Sequence, residues 1–204
     1  MKLTATTFIT LDGVMQAPGG PDEDRRGGFE HGGWSFPYAD EEGGRHVVTW
    51  FERADAFLLG RRTYEIFASY WPRMTDPDDP IASRLNGLPK YVASRTLTSV
   101  DWDGAQLLEG DVVEAVRRLK EQPGRELQVH GSGDLLQTLM EADLVDEHRL
   151  SICPVVTGGG RRLFREGTPP RAFRLEATTM TPAGVVIASY TRGGPLVTGS
   201  FEAP

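Results

Sequence analysis

Residues 3–11 are rich in Thr, Phe and Ile and read as a strand. Over residues 41–53, Val47, Val48, Trp50 and Phe51 recur at near-helical spacing and predict a helix. Ala56-Phe57-Leu58-Leu59 is a short apolar run closed by Gly60, the pattern of a buried strand. A helix is predicted next, with Tyr64, Phe67 and Ala68 on one side and Pro72 beyond its end. Residues 90–94 read as a strand and 103–108 as a weaker one. Asp111 with Glu114 three residues on is a capping-box arrangement; Val112, Val113, Val116 and Leu119 then form an apolar stripe that Pro123-Gly124 ends. Residues 127–130 predict a strand, 134–142 a helix with Leu135, Leu136, Leu139 and Met140 inward, and 149–156 another strand. Residues 173–179 and 185–191 flank a Thr-Pro-Ala-Gly turn and predict a closing hairpin.

Strands alternating with helices imply an α/β fold, a mostly parallel sheet with helices on both faces and antiparallel strands at one edge. No internal repeat or long linker interrupts the 204 residues, so one domain is expected over residues 1–192. Gly193-Gly194-Pro195 suggests that residues 193–204 form a loose tail. Two breaks stand out. Residues 16–44 carry four Gly-Gly pairs and predict a long loop of the kind that is functional or disordered. Residues 75–80 read as a turn cluster.

Twenty-two basic against 29 acidic residues leave a net charge of −7, which argues against a general nucleic-acid or anionic-membrane surface. It leaves room for one local pocket for a phosphorylated small molecule. A single cysteine makes no internal disulfide, and no run approaches eighteen apolar residues, so a soluble, cytoplasmic protein is the expectation.

Three segments are candidates for nucleotide chemistry. Gly60-Arg61-Arg62-Thr63 follows a predicted strand and opens a helix, where free N–H groups and guanidiniums attract phosphate; a surface Arg pair beside a cap is the plainer reading. Gly131-Ser132-Gly133-Asp134-Leu135 is a second strand–glycine–helix passage, but Leu136 stands where a dinucleotide fingerprint has its third glycine. Ser94-Arg95 follows a third strand, and an arginine there is placed to meet a 2′-phosphate. In a parallel sheet all three lie along one edge. Asp12, closing the first strand, projects toward the same crevice, and Asp40 begins a helix close to apolar Trp34 and Phe36. Acids in a first turn are commonly caps, whereas a carboxyl against an aromatic surface has a raised pKa and can supply a proton. The four histidines show no metal-ligand spacing, and Cys153 lies in an apolar strand, so neither a metal site nor a thiol nucleophile is expected.

Taken in order, Phe8-Ile9-Thr10-Leu11-Asp12-Gly13, Leu59 through Glu65, Val129 through Leu135, Leu144-Val145-Asp146-Glu147 and Pro154 through Phe164 resemble the dihydrofolate reductase-like superfamily. The chain is most similar to the branch containing the reductase domain of the riboflavin-biosynthesis deaminase–reductase. The resemblance implies a three-layer fold and an NADPH-dependent reductase, acting on a C=N or C=O bond of a heterocyclic or ribosylamino-pyrimidine-like substrate. It further implies a homodimer. By the same resemblance Gly60, Arg61, Arg62, Thr63, Ser94 and Arg95 hold cofactor phosphates, and Gly131, Ser132, Gly133, Asp134 and Leu135 wrap the pyrophosphate. Gly13 and Val14 belong to the loop over the nicotinamide, Asp12 or Asp40 relays a proton, and Trp34, Phe36 and Thr157 face substrate. In folate reductases the Trp-x-x-Pro-x-Asp segment supplies the acid; here one more residue separates Pro37 from Asp40. A pterin reductase and a nucleotide-binding sensor without turnover are the rival readings.

Overall fold

A computed structural model describes residues 1–201. The elements run β1 (Lys2–Thr10), α1 (Glu41–Glu52), β2 (Ala54–Gly60), α2 (Arg61–Tyr70), α3 (Pro80–Gly87), β3 (Lys90–Ala93) and β4 (Ala105–Leu107). They continue with α4 (Val112–Glu121), β5 (Glu126–His130), α5 (Gly133–Glu141), β6 (Glu147–Cys153), β7 (Arg171–Met180) and β8 (Val186–Pro195). Among the described residues the strands form one sheet in the order β4-β3-β2-β5-β1-β6-β8-β7. Strands β1 to β6 are mutually parallel, and β8 and β7 add antiparallel. The mostly parallel α/β architecture with a closing hairpin is therefore present.

The two sheet faces differ in chemistry. Leu3, Ala5, Leu58, Leu127 and Val129 point to the side covered by α4 and α5, where they join Val116, Leu119, Leu136 and Leu139. That face is largely apolar, with Thr7 and His148 as buried polar exceptions. On the opposite side, Phe57, Leu59 and Val92 pack with Phe51, Tyr64 and Leu85 from α1, α2 and α3. Under α1 this face turns polar: Arg149 donates to both Glu126 oxygens at 2.8 and 2.7 Å and to Glu147 at 2.8 Å. Gln128 donates to Glu126 at 2.8 Å and to the Trp50 carbonyl at 2.6 Å, which leaves its Oε1 to accept from His130 Nε2 at 3.0 Å. Buried charges persist only when paired this completely.

Sequence expectations and structure diverge in a few places. Helix α3 lies beyond the predicted turn cluster: Asp79 accepts from Ile81 and Ala82 N–H, and Pro80 occupies the first helical position. Asp111 caps α4 as expected, but Glu114 pairs with Arg117 instead of reaching back. Strand β8 runs through Gly193 and Gly194 to Pro195, so the first three residues of the expected tail are strand; residues 202–204 lie outside the described ones. The stretch over residues 16–44 is a packed loop. Gln16 Nε2 donates to the carbonyls of Asp24 and Arg26, Trp34 Nε1 to that of Gln16, and Ser35 Oγ to that of Pro18. Gly43 and Gly44 already belong to α1.

Candidate functional site

Because β1, β2, β3, β5 and β6 are parallel, the segments that follow them emerge along one sheet edge. Residues Asp12, Gly60-Thr63, Ser94-Arg95, Gly131-Ser132 and Thr157 all leave from it. The Gly60 and Gly131 turns are joined directly. Ser132 Oγ accepts from Gly60 N at 3.0 Å and donates to Thr63 Oγ1 at 3.0 Å, and Ser132 N donates to the same hydroxyl at 3.1 Å. Gly131 and Ser132 both have positive φ, 56° and 54°, which turns the chain sharply out of β5 into α5. Gly60 lies against this turn: a Cβ there would sit in van der Waals contact with Ser132 Cβ at 3.4 Å.

These two turns start helices that end unlike the others. Asp40, Asp79 and Asp111 cap α1, α3 and α4 through their side chains, whereas α2 and α5 have no side-chain cap. First-turn N–H groups have no acceptor within a helix, so two adjacent N-termini present free donors and partial positive charge. Around them, Arg61 pairs with Glu65 at 2.7 Å and reaches the Thr96 hydroxyl. Arg62 lies 3.6 Å from Asp24, and exposed Arg95 has no ion-pair partner among the described residues. Ser94 Oγ accepts from Leu97 N at 2.9 Å, fixing the turn after β3. Asp134 faces outward and holds Arg161 at 2.7 Å and Arg165 at 3.0 Å; Leu135 is buried in the core under the sheet. Val14 is fully buried, and its N–H and carbonyl are both taken by Thr10, so it packs beneath the crevice instead of facing it.

The two candidate acids are both committed. Asp12 accepts from Thr10 Oγ1 at 2.6 Å, Gly158 N at 3.0 Å and Thr157 N at 3.3 Å, and these donors, led by Thr10, hold its carboxyl below the usual range. Asp40 caps α1 and braces the β7–β8 turn, accepting from Gly43 N at 2.7 Å and Ala183 N at 2.8 Å; those N–H groups lower its pKa. A proton donor near neutrality needs the opposite shift. The capping role, open in the sequence, is the one the structure gives Asp40.

Beside the α5 N-terminus lies a cavity of about 480 Å³ between the loops over 26–31 and 157–161. Arg26, Phe29, His31, Thr157 and Arg161 line it, with Gln16 at its floor, where Gln16 Oε1 accepts from Arg161 N at 3.0 Å. Of the expected substrate contacts only Thr157 borders this space. Trp34 is buried in the cluster with Trp50 and Cys153, and Phe36 is 77% exposed on a short helical turn. Sequence reasoning passed over Gln16, Arg26, Phe29 and His31; the glycine density of their loop was the available signal. Among the described residues no group of His, Cys, Asp and Glu is arranged to hold a metal, and no helix is long and apolar enough to cross a membrane.

Comparison with known proteins agrees with this geometry. The profile of the RibD C-terminal domain matches residues 1–187. The uncharacterised protein YyaP of Bacillus subtilis is 32% identical over 188 residues, covering 91% of this chain and 92% of its own. A putative riboflavin biosynthesis protein from Shewanella sp. PV-4 superposes with a TM-score of 0.70 at 25% identity, covering 94% of this chain and 99% of that one. Dihydrofolate reductase from Enterococcus faecalis, solved with NADP(H), superposes at 0.60 with 12% identity over 94% and 96% of the two chains, a likeness of fold.

Proposed function

The chain belongs to the RibD C-terminal domain family, and from that premise we propose that it is an NADPH-dependent reductase. It would deliver hydride to a C=N or C=O bond of a small heterocyclic or ribosylamino-pyrimidine-like substrate. One observation carries the reading: α2 and α5, the helices that follow the Gly60 and Gly131 turns, are the uncapped ones and are hydrogen-bonded side by side. An anion there completes donors that aspartate supplies at α1, α3 and α4.

The residues fit a phosphorylated dinucleotide. Gly131 sits at φ 56°, a left-handed conformation that glycine takes without strain, and holds the turn into α5 beside Thr63. Arg61, Arg62, Ser94 and Arg95 would take phosphate, with unpaired Arg95 suited to a 2′-phosphate. The first turn of α5 would take the pyrophosphate. Bound nicotinamide would supply the hydride. This chain's own residues orient: Asp12, ionised, ties the Thr157-Gly158 loop to the end of β1. The cavity lined by Arg26, Thr157 and Arg161 suits a polar or anionic tail on the substrate.

A pterin reductase fits less well, because Asp40 is spent on the α1 cap. A sensor without turnover draws its support from two carboxyls held ionised. Incubation with NADPH and a panel of cyclic imines, ketones and aminopyrimidine ribosides, followed by nicotinamide absorbance, separates these readings. Substrate-dependent oxidation of NADPH is expected. Saturable NADPH binding with no oxidation across the panel would leave the sensor reading standing.

A further inference from the structure

A second cavity, of about 310 Å³, lies at the opposite end of β6 from the crevice. It is enclosed by the end of α5, the start of β6, the loop before β7, the start of β7 and the end of β8. Its wall is largely aromatic. His148 meets Phe164 at 5.5 Å and Phe173 at 5.3 Å, both edge-on, and the two phenylalanines are 5.9 Å apart. Phe164 and Phe173 stay 42% and 39% exposed, although apolar rings this close to one another gain by being covered.

Two polar atoms at this cavity are sealed from solvent without partners, Nδ1 of His148 and Nε of Arg171. Buried polar groups are normally paired, so two orphans at one cavity require an explanation. His148 is 3% exposed, and no described residue hydrogen-bonds its ring. Burial pushes its pKa down to about 4, so the imidazole is neutral near neutrality. Orphaned N–H groups are rarer in proteins than under-used acceptors. An acceptor bound on the cavity side selects the tautomer with the proton on Nε2, the ring nitrogen that is not sealed. The guanidiniums of Arg171 and Arg192 share Asp143, at 2.6 and 3.5 Å, and Arg192 also pairs with Asp146. Asp143, on the same wall, occupies Nη1 of Arg171; with Nε sealed, the part-exposed remainder of the guanidinium is what faces a ligand.

We propose that this cavity binds a small aromatic carboxylate, its ring against Phe164 and Phe173 and its carboxylate between the His148 Nε2–H and the Arg171 guanidinium. The volume suits a bicyclic ligand, and charge-assisted donors around an apolar slot are the usual means of orienting one. The site is separate from the nucleotide crevice, yet joined to it. Arg165 borders this cavity and pairs with Asp134, which also holds Arg161 from the first cavity.

Titration of the full chain with 1-naphthoate, by calorimetry and saturation-transfer NMR, tests the assignment. Saturable one-to-one binding is expected, with neutral 1-naphthalenemethanol at least tenfold weaker. His148→Phe keeps an aromatic ring and removes the donor; it should weaken naphthoate tenfold or more with an unchanged unfolding temperature. Phe164→Ala, at the rim, should also weaken it, and NADPH should not displace it. Equal affinity for the neutral analogue, no effect of His148→Phe, or competition with NADPH would overturn the proposal. So would sedimentation as a dimer that Phe173→Arg dissociates, since the cavity would then be an interface between copies.

Discussion

Thr63→Val replaces a hydroxyl by a methyl of nearly the same size at the point where the Gly60 and Gly131 turns meet. The wild-type hydroxyl accepts from Ser132 N at 3.1 Å and Ser132 Oγ at 3.0 Å. Valine leaves a half-buried backbone N–H without its acceptor, which costs about 1–2 kcal/mol at such a site. Ser132 already sits at φ 54°, a conformation that non-glycine residues adopt only when held. The freed turn relaxes, and binding must then restore it. Carried wholly into binding, the same energy weakens NADPH by roughly 5- to 30-fold. Fluorescence titration of bound NADPH reads the affinity, and thermal unfolding reads stability in the same samples. An affinity within twofold of wild type, alongside the expected loss of stability, would refute the claim that the joined turns form the phosphate cradle.

Arg149→Met leaves the buried carboxylates of Glu126 and Glu147 without their shared guanidinium; urea unfolding should show a loss of about 3–5 kcal/mol, partly restored by adding Glu126→Gln. Lys90 is fully buried, donates to the carbonyls of Leu85, Asn86 and Leu88 at the end of α3, and lies 4.6 Å from the Trp102 ring. Burial lowers its pKa to about 8, and Lys90→Met should cost about 2–3 kcal/mol in the same assay. The Arg26 guanidinium holds Asp24 down at about 2. A carboxylate with a depressed folded pKa stabilises above its unfolded pKa, and that contribution disappears as pH falls toward the folded value. Melting temperature should therefore fall between about pH 4 and pH 2, and Asp24→Asn should flatten that limb.

Much of the fold was legible because it rests on local patterns. The stripe of Val47, Trp50 and Phe51 and the cap at Asp111 both lie where the sequence places them. The parallel edge followed from alternation alone, and with it the grouping of Asp12, Gly60, Ser94 and Gly131. Helix α3 was hidden because its Asp79-Pro80 start reads equally as a turn. Strand β6 begins at Glu147, where a charged residue argues against a buried strand until Lys2 and Arg149 are seen beside it. Pairings across such separations leave no periodic trace. The same is true of the site: that Asp12 is chelated by the Thr157-Gly158 backbone, and Asp134 by two arginines, depends on loops far apart in sequence.

Nicotinamide fluorescence during titration with NADPH and then NADH, in wild type and Arg95→Ala, tests the central claim most directly. Tight NADPH binding is expected, with NADH weaker by about tenfold or more, roughly 1.4 kcal/mol, and the preference lost in the variant. Failure of both nucleotides to bind would contradict it.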